Sequence, residues 1–228
     1  MIRKFNYIMG LVLSLSLASC AYDNYEPPKS AFKGRLVYKS EAINLAQGQV
    51  DIRLIQAGFA KETPISVSIA QDGSFSALLF DGEYQLYLPN VGPYVPQPDK
   101  TPLIIKGSTT QDIEVVPYYM VKDVSITPST GRMATASFKL EKIVADAKAI
   151  KKVSLFVNKT QFVDIGNSLV ASTKDGAGLD LNALSLSVAV PIVKLNPGQK
   201  EVFARVGVEI DGVSGMLFSK VIKITLVD

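Results

Sequence analysis

Gln71-Asp72-Gly73-Ser74-Phe75-Ser76-Ala77-Leu78-Leu79-Phe80-Asp81-Gly82-Glu83-Tyr84-Gln85-Leu86-Tyr87-Leu88 decides the fold. Two Asp-Gly pairs bracket a short apolar stretch, and after the second pair Tyr84, Leu86 and Leu88 alternate with Glu83, Gln85 and Tyr87. Asp-Gly closes a tight turn because glycine accepts positive φ and the aspartate side chain can bond the backbone two residues on. A period of two puts alternate side chains on opposite faces of a strand, one face for the core and one for water. The segment therefore reads as a β-meander.

The same period extends outward in both directions. Val50, Ile52 and Leu54 alternate with Asp51 and Arg53, and Ile65, Val67 and Ile69 with Ser66 and Ser68. Ile113 with Val115 gives a last strand before Pro117. Pro89 to Lys100 holds Pro89, Pro93, Pro96 and Pro98 with Gly92, has no periodicity, and reads as a long loop. Near Lys122 the pattern restarts with Val124 and Ile126. It continues through Ala134, Ala136, Phe138 and Leu140; Val153, Leu155 and Val157; Leu184, Leu186, Val188 and Val190; Val202, Ala204, Val206, Val208 and Ile210; and Ile222, Ile224 and Leu226. Glu141 to Ile150 fits a short helix or turn between strands as well as a continuous strand. Thr173 to Leu181, with Gly176 and Gly178, reads as a loop. The expected fold class is all-β, with two β-sandwich domains at residues 31–120 and 121–228.

The chain begins with Arg3 and Lys4, an apolar run from Ile8 to Ala18, and small residues before Cys20, the pattern of a secretory signal. Leu17-Ala18-Ser19-Cys20 resembles the lipobox of bacterial lipoproteins. That resemblance implies a signal peptide at 1–19 and a diacylglyceryl thioether on Cys20, which would become the first residue of the mature chain. Residues 20–30, with Pro27-Pro28, read as the tether. Several acyl chains bind a membrane durably where one does so reversibly, so the expected partner of Cys20 is the membrane. Early acids such as Asp23 and Glu26 resemble the export signal of Bacteroides-type surface lipoproteins, which implies the outer membrane and its cell-surface face.

Composition removes many functions. The 228 residues contain no His and one Cys, so no Ser-His-Asp relay, His-ligated zinc or internal disulfide can form. The formal net charge of +3 falls by two when Arg3 and Lys4 leave with the signal, which argues against nucleic acid as a partner. Asp175 and Asp180 lack the ligand spacing of a calcium loop, and no phosphate loop or nucleophile elbow occurs. The expectation is a chain without enzymatic activity, cofactor or metal. The candidate binding residues are aromatic: Tyr87 on the wet face of its strand, Tyr94 in the proline-rich loop, and Tyr118 and Tyr119 beside Pro117. Flat rings with a phenol hydroxyl suit the apolar face of a pyranose, and they equally suit an interdomain contact.

Gly34-Arg35-Leu36-Val37 through Asp72-Gly73-Ser74-Phe75 to Asp81-Gly82-Glu83-Tyr84-Gln85-Leu86 is similar to carboxypeptidase-regulatory-like and transthyretin-like sandwiches. The strand-dense second half resembles an immunoglobulin-like or fibronectin-type sandwich, without the usual core Trp and Cys pair. Lipobox, acidic tether and these two modules together resemble a family of uncharacterised Bacteroides-type lipoproteins associated with starch-utilisation-type systems. The resemblance implies an accessory in polysaccharide capture or uptake beside an outer-membrane transporter and glycan-capture lipoproteins. An alternative is a structural adhesin or fimbria-associated subunit, for which Arg35 would be the processing site, although Gly34-Arg35-Leu36 reads better as an uninterrupted strand.

Overall fold

A computed structural model describes residues 26–58, 62–97 and 99–228. Cys20 and the signal segment 1–19 lie outside the described residues. The N-terminal domain is built from β1 (Ser30–Tyr38), β2 (Glu41–Ala42), β3 (Asp51–Gln56), β4 (Ile65–Ser68), β5 (Ser74–Leu79), β6 (Gly82–Tyr87), β7 (Thr101–Ile105), β8 (Thr109–Thr110) and β9 (Ile113–Glu114). One sheet places β1 between β5 and the parallel strands β8 and β9, with β2 beside it; the other runs β4-β3-β6-β7. Their inner faces meet at Phe32, Leu36, Ile52, Leu54, Tyr84 and Ile105, all buried. Asp72-Gly73 turns as the sequence predicts, with Gly73 at φ +81 and Asp72 Oδ1 accepting from the Ser74 amide at 3.0 Å. The meander expectation is corrected: β5 pairs with β1 while β6 pairs with β3 and β7 in the facing sheet, so Asp81-Gly82 carries the chain from one sheet to the other instead of closing a hairpin.

The second sandwich comprises β10 (Tyr119–Ser129), β11 (Met133–Lys142), β12 (Ile150–Asn158), β13 (Val170–Asp175), β14 (Leu184–Ala189), β15 (Glu201–Ile210), β16 (Met216–Phe218) and β17 (Ile222–Thr225). A β10-β11-β14 sheet faces a β13-β12-β15-β16 sheet on which β17 also pairs with β15. The alternating residues Ala134, Ala136, Phe138 and Leu140 of β11 meet Val153, Leu155, Val202, Ala204 and Val206 in the core.

Element boundaries differ in places from the sequence reading. Ser30 is not tether but the first residue of β1, buried, with its hydroxyl bonded to Asp81. Thr173 to Asp175 are not loop but the end of β13: this polar strand pairs along an exposed edge with β12, and Thr173 Oγ1 lies 2.8 Å from Ser154 Oγ. Of the readings left open for Glu141 to Ile150, the turn between strands holds: β11 ends at Lys142 and a turn closed by Ala147 N donating to Val144 O leads to β12. β10 also begins at Tyr119, just ahead of the restart near residue 121.

The domains share one continuous apolar core, and a second cluster of Phe156, Val163, Met216 and Phe218 packs against Ala46 at their junction. Arg205 lies there at 0% exposure. Its Nη1 donates to Leu45 O of the first domain at 2.9 Å, its Nε donates to Val163 O, and its guanidinium stacks 3.8 Å from the Phe218 ring centroid. Gly207 makes the stack possible, since a Cβ there would come within 2.8 Å of the Phe156 ring and 2.9 Å of Phe218. Gln49 adds a reciprocal pair, accepting from Met216 N at 3.2 Å and donating to Met216 O at 3.1 Å, and Phe218 N donates to Asn44 O at 3.0 Å. Burial pushes the Arg205 guanidinium down to about 10, against the nearby carboxylate of Asp164, so it stays protonated at neutral pH. Asp164 is itself buried and held by the amides of Gly166 and Asn167, both at 2.8 Å.

Candidate functional site

The structure separates the four candidate tyrosines. Tyr94 is 2% exposed and fills the core under the proline-rich loop. Its hydroxyl donates to Val91 O at 3.3 Å. The loop is fastened to the interdomain connector, with Val95 N donating to Val116 O at 2.8 Å and Tyr118 N to Pro93 O at 3.2 Å. The expectation that Tyr94 offers its ring to a sugar is therefore corrected. The ring gains more by packing than by exposure, and the loop backbone supplies its one polar need. Tyr119 is corrected for the same reason, being buried at the start of β10 with its hydroxyl donating to Lys148 O at 2.9 Å. Tyr118 is half-buried and packs on the core.

Tyr87 is different. Alternation along β6 turns Tyr84, Leu86 and Leu88 inward and leaves Tyr87 outward and half-exposed, opposite Arg53 of β3. Tyr87 and Leu88 line both of two neighbouring grooves. One, of about 460 Å³, is completed by Ile55, Glu62, Pro64, Asn90 and Lys100. The other, of about 280 Å³, is rimmed by Gln97, Asp99, Gln111, Asp112 and Glu114. Several of these polar groups are fixed: Asp112 accepts from the Arg35 amide at 2.9 Å, Glu114 from the Lys39 amide at 2.7 Å, and Gln97 Nε2 donates to Glu114 O at 3.0 Å. An aromatic face flanked by held carboxylates and amides can stack on an apolar ring face and hydrogen-bond its hydroxyls. The sequence singled out Tyr87 but not this rim, which β8, β9 and the proline-rich loop bring together from distant positions.

Among the described residues no group of three His, Cys, Asp or Glu is placed to hold a metal ion. Asp180 accepts from Asn182 N at 3.0 Å and closes a turn, while Asp175 ends β13. No helix among the described residues is long and apolar enough to cross a membrane.

The buried phenols predict an alkaline limit. Burial raises Tyr94 far above the usual phenol range, and Tyr119 and Tyr84 shift the same way. The unfolded chain ionises its tyrosines near pH ~10 while the fold keeps these neutral, so their contribution is intact below that pH and is lost as pH rises through it. The urea midpoint is expected to fall between pH 9 and pH 11, and Tyr94→Phe to fall less steeply; equal slopes would contradict this.

The fold and site define a two-sandwich β protein with an aromatic groove on its first domain. Family models for the N-terminal domain of a protein of unknown function, DUF3823, and for its C-terminal domain match residues 30–116 and 119–223. The chain belongs to the DUF3823 family. Its structure resembles crystal structures of DUF3823 proteins from Parabacteroides merdae, at 36% identity, and Bacteroides ovatus, at 30% identity. The matches cover 88% and 87% of this chain and 100% of each of those, both with a TM-score of 0.78. A proposed carbohydrate-binding protein from Bacteroides uniformis shares the fold at 18% identity and a TM-score of 0.72, over 88% of this chain and 100% of that one. No curated protein matches the chain.

Proposed function

We propose that this chain is a non-catalytic cell-surface lipoprotein, held at the outer membrane through lipidated Cys20 and accessory to polysaccharide capture or uptake. The observation that carries the reading is half-exposed Tyr87 lining two grooves, the second of which has a rim of fixed carboxylate and amide groups. A pyranose laid on the Tyr87 ring would place its equatorial hydroxyls toward Asp99, Asp112 and Gln111 on one side and Asn90 and Glu62 on the other. The description of the Bacteroides uniformis relative as a proposed carbohydrate-binding protein supports the same reading. An outer-membrane transporter and its glycan-capture lipoproteins are the partners such an accessory would serve.

Nothing in the fold favours the fimbrial alternative over this one. Arg35 lies in the middle of β1, its backbone paired with Ser74 and both its amide and its guanidinium engaged with Asp112, rather than in an open loop. Two measurements test the proposal. Cys20→Ala is expected to leave the membrane fraction, and the parent chain is expected to be retarded in affinity gels cast with at least one polysaccharide of a broad panel. Retention of Cys20→Ala, or free migration through every gel, would defeat it.

A further inference from the structure

We propose that the end of the first sandwich bearing Leu78 and Phe80 docks on the lipid surface, so that the molecule stands on its β5 tip with the second domain outermost. The inference rests on the reading of Cys20 as a lipid anchor. The chain enters the fold at Ser30, which is fixed at that end: Asp81 accepts from the Ser30 hydroxyl and from the Gly107 amide at 2.9 Å, tying the start of β1 to the turns after β5 and β7. Only residues 21–29 separate Cys20 from this clasp, a reach of at most roughly 35 Å. The clasped end is therefore the part of the fold nearest the membrane. β1 runs about 30 Å from Ser30 toward the junction, where Asn44 meets Phe218 and Tyr94 meets Pro117.

The apolar groups at the clasped end have no partner in the fold. β5 pairs antiparallel with β1, so Leu79 lies opposite Ser30 and Leu78 opposite Ala31. The inward side chains Phe75 and Leu79 are buried, whereas Leu78 is 64% and Phe80 45% exposed on the outer face. An alternating strand would ordinarily carry polar residues there, as Ser74 and Ser76 do nearer the junction. The surrounding charges suit phosphate headgroups. Lys33 and Lys106 are exposed and form no ion pair among the described residues. Lys29 pairs with Glu26 at 2.7 Å, and Glu83 is the remaining exposed acid nearby. The Asp81 carboxylate is occupied by the clasp, and its hydrogen bonds to Ser30 and Gly107 hold it below the usual carboxylate range. Two apolar side chains bind a bilayer weakly alone, but a short tether holds them near it at millimolar effective concentration, where weak contact is enough to set orientation.

The chain has no tryptophan, so one introduced residue reports its own surroundings. Phe80→Trp, Leu78→Trp and Val193→Trp are each prepared as the full lipidated chain in vesicles of phosphatidylethanolamine with a minority of phosphatidylglycerol. Val193, on the Ile192–Lys194 turn of the second domain, is 87% exposed and serves as the distal reporter. Tryptophan at 80 and 78 is expected to emit at shorter wavelength and to be quenched several-fold more by bromolipid than tryptophan at 193. If the chains float with the vesicles but all three positions are quenched alike, or none is, the docking is wrong and the anchor stands. If the chains do not float, the anchor reading fails and the docking falls with it. Leu78→Trp keeps the test decisive should Phe80→Trp fold poorly.

Discussion

Arg205→Ala is expected to remove roughly 3–5 kcal/mol of stability and to uncouple the two sandwiches. The substitution takes donors from two buried carbonyls, Leu45 O in the first domain and Val163 O in the second, and each orphaned acceptor carries its full desolvation cost. It also leaves the buried Asp164 without its compensating charge and opens a cavity beside Phe218. The hydrogen bonds of Gln49 and Asn44 remain, but they sit at the edge of the same contact. In calorimetry a loss of this size lowers the transition by roughly 10 °C for a chain of this length. The endotherm should also resolve into two where a single one is expected of the parent, because the core no longer transmits cooperativity across the junction. Arg205→Lys should stay closer to Ala than to the parent, since a single ammonium cannot serve both carbonyls and stack on the ring as a planar fork does. A single transition at the parent temperature in Arg205→Ala would show that the junction does not depend on this side chain.

Gly34→Ala should be nearly as damaging for a purely steric reason. A Cβ at residue 34 would stand 1.9 Å from Gln111 O and 2.7 Å from the Phe75 ring. The nearest atom is backbone, so no rotamer change relieves the clash. Either β1 moves off β5 or the segment from β8 to β9 leaves β1, with loss of the Gln111 N to Lys33 O bond at 2.9 Å and the Arg35 N to Asp112 bond. About 3 kcal/mol or more should be lost from the first domain. Gly131→Ala provides the comparison: that glycine has φ +76 with nothing within 4 Å of its would-be Cβ, and the strain alone should cost about 1 kcal/mol. Equal unfolding midpoints for the two variants would contradict the packing described for β1. The rim of the Tyr87 grooves depends on the same segment, through Gln111, Asp112 and Glu114, so Gly34→Ala should also disturb that surface.

Much of the fold is legible in the sequence because most strands bury one face only. Asp72-Gly73 and Asp81-Gly82 mark real turns, and the alternation of Ala134 to Leu140 and of Val202 to Ile210 gives real strands with the expected inward faces. What escapes is burial produced by partners distant in sequence. Arg205 occupies the polar phase of its strand and reads as solvated; it is buried by Val163, Phe218 and the Leu45 carbonyl, groups that the sequence places far from it. Phe156 is buried on the second face of β12 by the same cluster. Tyr94 misleads in the opposite way, because a proline-rich loop without periodicity gives no sign that it folds back onto the core. Of the candidate site, the outward phase of β6 gives Tyr87 from sequence. Its carboxylate rim lies far along the chain and becomes visible only once β8 and β9 are laid beside β1.

The glycan reading is tested most directly by calorimetric titration of the mature chain, its Tyr87→Ala variant and its Tyr94→Phe variant with the polysaccharides of the panel. We expect at least one glycan to bind the parent and Tyr94→Phe with millimolar or tighter affinity and Tyr87→Ala to lose that binding. Equal binding by Tyr87→Ala and the parent, or no heat from any glycan at millimolar concentration, would contradict it.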